Sequence, residues 1–318
     1  MATIPKIKSE RKAKPSASKP TFSLISDEKL LAIYAAMVRC RMVQQRATML
    51  FQEGKLSSDL HASSGREALA AAVVIDLQPS DSLSLGEGDW LPAMVKGVAM
   101  ENLFRALAPA PAQSNGFTPH STAEIEHKVF FSGDQARRPA LVRDLALAAQ
   151  AAKHGALVAA ILPSSENLLK PWHEVIADAA SQKLPVVFVH YADSAKQRST
   201  SETKYRGKNP SAFFHGVPAI TVDAFDAVAV YRVAFEAIAR ARQGRGSSLL
   251  ECVTQPGAIL PRDAKKVEAS VSPLSAADPP SIMEGYLKSK GIFSAQHNRQ
   301  IIASCSAELD LATRFLNH

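Results

Sequence analysis

Cysteine is scarce in this sequence. Cys40, Cys252 and Cys305 are the only three in 318 residues, and they stand far apart. No CxxC spacing and no disulfide framework results, so dithiol redox chemistry and a stapled secreted scaffold are excluded; the three read as buried thiols. Apolar runs near the roughly 20 residues needed to span a bilayer are also missing, as is the apolar segment of a secretory signal. The expected compartment is the cytoplasm, with no membrane partner. The motifs GxSxG, HExxH, GxxxxGK[ST] and GxGxxG do not occur, which sets aside the hydrolase elbow, the zinc protease helix, the P-loop and the dinucleotide turn.

What is present suffices for a large core. Hydrophobic residues make up 46% of the chain, and the length allows one large or two small domains. The formal net charge is +7, but residues 1–24, MATIPKIKSERKAKPSASKPTFSL, hold six Lys or Arg against one acid, with three prolines. That composition predicts a disordered basic tail over 1–25, a solubilising or tethering arm with an anionic partner as the alternative. The remaining chain is near neutral and has no groove-reading motif, so no nucleic-acid partner is expected.

Leu30, Ile33, Tyr34, Met37 and Cys40 recur at helical spacing after Asp27, a candidate cap, and Gly54 supplies the stop. Ser64 and Glu67 have capping-box spacing ahead of an Ala/Val helix that Pro79 should end. LGEGDWLP (85–92) reads as a glycine-bearing loop, KVFFSGD as a short strand, and Pro139 as the opening of an alanine-rich helix that stops at Gly155. Four apolar runs, 156–162, 185–191, 218–224 and 247–254, then alternate with helical stretches. Continuous apolar strands between helices predict a doubly wound parallel α/β sheet covered on both faces. After the first of these runs, Pro163 should break the chain and Pro171 should open a new helix. A loop of about 25 residues follows the second run, in the manner of a lid or a disordered segment. Two helices, about 279–290 and 294–317, close the chain.

Four phrases stand in a telling order: GKL with HxxxGREA at 54–68, HEVxxxAAxxKLPVVFV at 173–189, VDAFD at 222–226 and ARARQGRGSSLLE at 239–251. Together they resemble the α subunit of thiamine diphosphate-dependent 2-oxoacid dehydrogenases, the E1 component of pyruvate and branched-chain complexes. The resemblance covers roughly residues 28–290. It implies a thiamine diphosphate-binding fold over 26–290 with a C-terminal helix at 291–318. It also implies thiamine diphosphate and Mg²⁺ as cofactors, an E1 β-like subunit in an α2β2 assembly, and a lipoyl-bearing E2 as acceptor of the acyl group.

Carried over position by position, the resemblance assigns the family's GDG metal slot to Pro163-Ser164-Ser165. Ser164 then stands where the ligand carboxylate belongs, and Leu168 where an asparagine belongs. The second metal position falls on Asp193, which could still ligate. The diphosphate-gripping Tyr-Arg and the following histidine fall on Glu87, Gly88 and Trp90; a glycine in place of arginine removes a fixed phosphate cation, and Glu87 adds a negative charge. The later active-site histidines are replaced by Ala258 and Leu260. His61 matches a histidine at the mouth of the substrate channel, although a hydrogen-bonded histidine in a loop before a helix fits as well. Glu174 reads as a first-turn acid or an active-site remnant. The expectation is an E1 α-like subunit with a degenerate cofactor site and a structural or regulatory role. An active E1 α subunit decarboxylating a 2-oxoacid such as pyruvate, and a non-enzymatic scaffold using the basic tail, are the alternatives.

Overall fold

The computed structural model describes residues 25–58, 65–86, 88–109, 119–132, 134, 136–163, 166–192, 216–253 and 278–317. Its elements in chain order are α1 (Asp27–Gln52), α2 (Glu67–Val74), β1 (Ser82–Gly86), α3 (Trp90–Val95), α4 (Met100–Leu107), α5 (Pro119–His127), β2 (Val129–Ser132), α6 (Arg137–Ala152), β3 (Val158–Leu162) and α7 (Glu166–Ser181). They continue with β4 (Val186–Ala192), β5 (Ala219–Asp223), α8 (Ala227–Arg242), β6 (Ser248–Val253), α9 (Pro279–Ser289), α10 (Ala295–Ala312) and a 3₁₀ turn (Arg314–Asn317). Among the described residues, no helix is long and apolar enough to cross a membrane.

The six strands form one sheet in the order β2-β1-β3-β4-β6-β5, and every pairing is parallel. Parallel sheets are as a rule covered on both faces, and helices cover both faces of the central strands here, while Ile220 and Thr221 of the edge strand β5 are exposed. On one face Leu83, Leu85, Ala159, Ile161, Val187, Val189 and Cys252 meet the buried stripes of α1, α2, α8, α9 and α10. On the other, Val158, Ala160, Leu162, Val186, Phe188 and Leu249 meet Val142 and Ala146 of α6 and Trp172 and Ile176 of α7. The Trp172 and Phe188 rings meet edge to face at 6.5 Å, a geometry that adds about 1 kcal/mol to the burial itself.

The edge of the sheet away from the strand tips is locked by charge. Asp81, fully buried just before β1, accepts from both Arg242 guanidinium nitrogens at 3.0 and 2.6 Å. It also accepts the main-chain N–H of Leu157 at 3.1 Å and of Gln78 at 2.6 Å. The end of α8 is thereby fixed to the starts of β1 and β3. VDAFD becomes a turn: Asp223 accepts the Phe225 N–H at 2.9 Å, and Asp226 caps α8 through the N–H groups of Val228 and Ala229, both at 3.0 Å.

Several local expectations differ from the structure. The cap of α1 is Ser26, whose hydroxyl accepts from Lys29 N at 3.2 Å; Asp27 is a first-turn acid. Helix α2 stops at Val74, well before Pro79, because Asp76 is held by the Lys29 ammonium and the Tyr231 hydroxyl, both at 2.6 Å. LGEGDWLP is no single loop: Leu85 and Gly86 end a strand, and Trp90 begins a helix. Pro171 lies inside α7, which has already begun at Glu166. Buried Leu169 and Trp172 hold the chain helical across it. The basic tail and the segments 193–215 and 254–277 lie outside the described residues.

Candidate functional site

The strand order reverses between β1 and β3. From β1 the chain turns outward to β2, whereas from β3 it proceeds the other way to β4. In open α/β sheets the crevice at the carboxyl ends of such a pair receives ligands. Here β1 and β3 are paired from Ser82↔Val158 to Ser84↔Ala160, and both strands then run on unpaired with each other, to Gly86 and Leu162.

Arg138 of α6 fills the opening between them. Its Nη2 donates to the carbonyls of Ser84, at 3.0 Å, and of Ile161, and its Nε donates to Ser84 Oγ at 3.2 Å. The guanidinium carbon lies 5.2 Å from the Trp172 ring centroid. Only 1% of the side chain is exposed, and burial pulls its pKa down to about 10 against the opposing field of Asp89. At neutral pH it is still a cation. Its contacts are acceptors and a π face, the partners a weakly hydrated planar cation prefers.

Above the carbonyls, Asp89 accepts from Gly86 N at 3.2 Å and lies 3.6 Å from Arg66 Nη1. Arg66 stacks on the Tyr191 ring at 4.4 Å. A Cβ on Gly86 would come within 3.0 Å of Asp89 Oδ2. The cleft lined by Arg66, Leu69, Ala70, Asp89, Leu91, Pro92, Ile161 and Tyr191 holds about 10 Å³, at the lower bound for one water.

A second polar row crosses the face toward α6 and α7. His190 of β4 stands opposite Leu162 on one side and Glu251 of β6 on the other, and Glu251 stands opposite Thr221 of β5. Thr221 Oγ1 donates to Glu251 Oε2 at 3.0 Å. His190 is 5% exposed, and neither ring nitrogen has a hydrogen-bond partner among the described residues. Burial, and then the charge of Arg66, lower its pKa to about 4, so it is neutral. Burial raises that of Glu251.

His61, Glu87, Ser164 and Asp193, the four residues singled out from the sequence, lie outside the described residues, as do Ala258 and Leu260. Glu174 is exposed and mid-helix in α7, far past the first turn. Glu67 belongs to no observed capping box. Its helix begins at Glu67 itself, and its fully buried carboxylate accepts from Arg41 Nε at 2.7 Å, while Arg41 Nη2 reaches Asp278 at 2.6 Å. Asp278 in turn caps α9 through Ser281 N at 3.1 Å, so this triad ties α1, α2 and α9 together. Arg138 was not foreseen. The only trace of it in the sequence is an arginine immediately before Pro139, where a solvated helix start is the ordinary reading.

A six-stranded parallel sheet wrapped by helices, with its crevice at the order reversal, defines a doubly wound α/β protein. Residues 34–315 match the Dehydrogenase E1 component family, and the chain belongs to that family. It is similar to the α subunit of acetoin:2,6-dichlorophenolindophenol oxidoreductase of Bacillus subtilis, 28% identical over 237 residues, 72% of this chain and 71% of the relative. It is also similar to the chloroplastic pyruvate dehydrogenase E1 component subunit alpha-3 of Arabidopsis thaliana, 26% identical over 84% of this chain and 66% of that one. With the pyruvate dehydrogenase E1 α subunit of Porphyra purpurea it shares 24% identity over 92% of this chain and 89% of the other.

The family is thiamine diphosphate-dependent. The described part of the crevice is its floor. Its space is taken by side chains, and the Ser84 and Ile161 carbonyls at its floor already receive Arg138.

Proposed function

We propose that this chain is an E1 α-like subunit retained for assembly: it pairs with an E1 β-like subunit in an α2β2 complex and does not itself hold thiamine diphosphate and Mg²⁺. A lipoyl-bearing E2 is the further partner such a complex would meet. The observation that carries this reading is where the family's phrases survive. KLPVVFV and ARARQGRGSSLLE touch each other, since a Cβ on Gly246 would lie 3.2 Å from Lys183 Cα. Arg242 of the second phrase holds Asp81, and VDAFD caps α8. These are packing segments. The departures, at Glu87, Ser164, Leu168, Ala258 and Leu260, fall in the stretches that follow strands, where chemistry would sit.

Calorimetric titration of the full chain with thiamine diphosphate and Mg²⁺, with and without a candidate β subunit, tests the reading. The expected result is a stable α–β complex and no binding heat attributable to this chain's site. Micromolar, Mg²⁺-dependent binding would restore the active-subunit alternative. Loss of partner binding on deletion of residues 1–25 would favour the scaffold alternative.

A further inference from the structure

The geometry points to the crevice between β1 and β3 being an internal guanidinium site: Arg138 is its ligand, at the strand-order reversal where open α/β sheets receive ligands. The inference rests on the reading of this chain as a subunit without its own diphosphate site, and it gives that reading a physical cause. Four observations carry it. The strands part after Ser84↔Ala160, and one nitrogen of Arg138 spans the gap between the Ser84 and Ile161 carbonyls. Ser84 Oγ accepts a further N–H. The Trp172 ring closes the remaining side. No carboxylate among the described residues forms an ion pair with Arg138: Asp89 favours the cation at longer range, and the direct contacts are carbonyl dipoles, a hydroxyl and a π face.

Every one of those groups presents electron density, and a phosphate placed there would meet them with the wrong sign. Removing the guanidinium would take a donor from each of the Ser84 and Ile161 carbonyls and from the Ser84 hydroxyl, all in a buried setting, a penalty the fold cannot relieve by collapse of apolar atoms. The site is therefore built for a planar cation with forked donors. A lysine cannot satisfy all of it: one ammonium nitrogen could serve the two carbonyls that Nη2 serves, but it would leave Ser84 Oγ without the Nε donor and the Trp172 face without a planar cation.

The test is chemical rescue in the full-length chain. Arg138→Ala should lower the melting temperature, and n-propylguanidinium at about ten times its dissociation constant should raise that of the variant by about 3 °C. The n-propylammonium ion at the same concentration should not, and wild type should respond to neither. Arg138→Lys should melt below wild type and also lack rescue. If Arg138→Ala does not fold, refolding yield is the readout, and only the guanidinium compound should restore it. Equal effects from the two cations, no effect from either, or a variant as stable as wild type would overturn the assignment. None of these outcomes touches the assembly reading, which fails instead if wild type binds thiamine diphosphate. Titration of wild type and Arg138→Ala with inorganic pyrophosphate and Mg²⁺ completes the set: a lining of acceptors predicts that neither protein binds, and saturable binding that the variant strengthens would overturn the assignment of the site to a cation. Binding that the variant abolishes makes Arg138 an anion ligand and overturns the proposal.

Discussion

At the scale of single residues, the polar groups of the sheet divide into satisfied and unsatisfied ones. Asp81 and Arg242 exchange two hydrogen bonds and take main-chain partners besides. His190, almost as deeply buried, has none among the described residues. It is neutral in the fold because its pKa is lowered from 6.5 to about 4, by burial first and by Arg66 second. The sign of the linkage follows. A depressed pKa favours the unprotonated native state, so the contribution is complete above about pH 6.5 and is lost as pH falls toward 4. Wild type should lose about 2 to 3 kcal/mol through this group between pH 7.5 and 4.5. His190→Leu should remove that increment, Glu251 being common to both proteins. Urea unfolding at the two pH values measures it, and an unchanged difference between wild type and variant would count against a neutral buried imidazole.

At the scale of elements, most of the strand and helix pattern was legible because apolar spacing records burial directly. The runs at 156–162, 185–191, 218–224 and 247–254 are all strands of the sheet. What escaped were boundaries set by distant partners. Pro79 offered an end for α2, but Asp76 leaves the helix for Lys29 and Tyr231, contacts no local pattern records. Strand β1 hid in a glycine-bearing stretch, and Arg138 hid because an arginine beside a helix-opening proline reads as solvated until the splayed strands are seen. The candidate site residues taken from the family pattern lie beyond the described residues, so the legible part of the site is its floor rather than its rim.

The turn between α8 and β6 gives a test at this same scale. Gly244 and Gly246 both have positive φ, +69° and +91°, but only Gly246 approaches another backbone, that of Lys183. An alanine at 244 meets open space and should cost about 1 kcal/mol for its left-handed conformation alone. Gly246→Ala adds a close contact between the two surviving family phrases and should cost about 2 to 3 kcal/mol. Equal urea midpoints for the two variants would show that the contact at 246 is relieved without loss.

At the scale of the whole molecule, the question is whether the first and last helices share one core with the sheet. Cys40 lies in α1, Cys252 in β6 and Cys305 in α10, and all three are buried in the same hydrophobic cluster. Arg39–Glu308 and Arg46–Asp310 ion pairs, both at 2.7 Å, tie α1 to α10, although such exposed pairs contribute little alone. Burial raises all three thiol pKa values, that of Cys252 to about 12, so the native thiols are shielded both by access and by protonation. If α10 is part of a single cooperative core, a thiol reagent at pH 8 should label the three cysteines slowly and at one common rate, set by global opening. The rates should rise together with urea. A helix over 291–318 that opens by itself would expose Cys305 first, and its labelling rate would then exceed those of Cys40 and Cys252 while depending less on denaturant. Peptide mapping of the labelled sites separates the two cases, and early labelling of Cys305 alone would set the C-terminal helix apart from the core on which the rest of the fold is built.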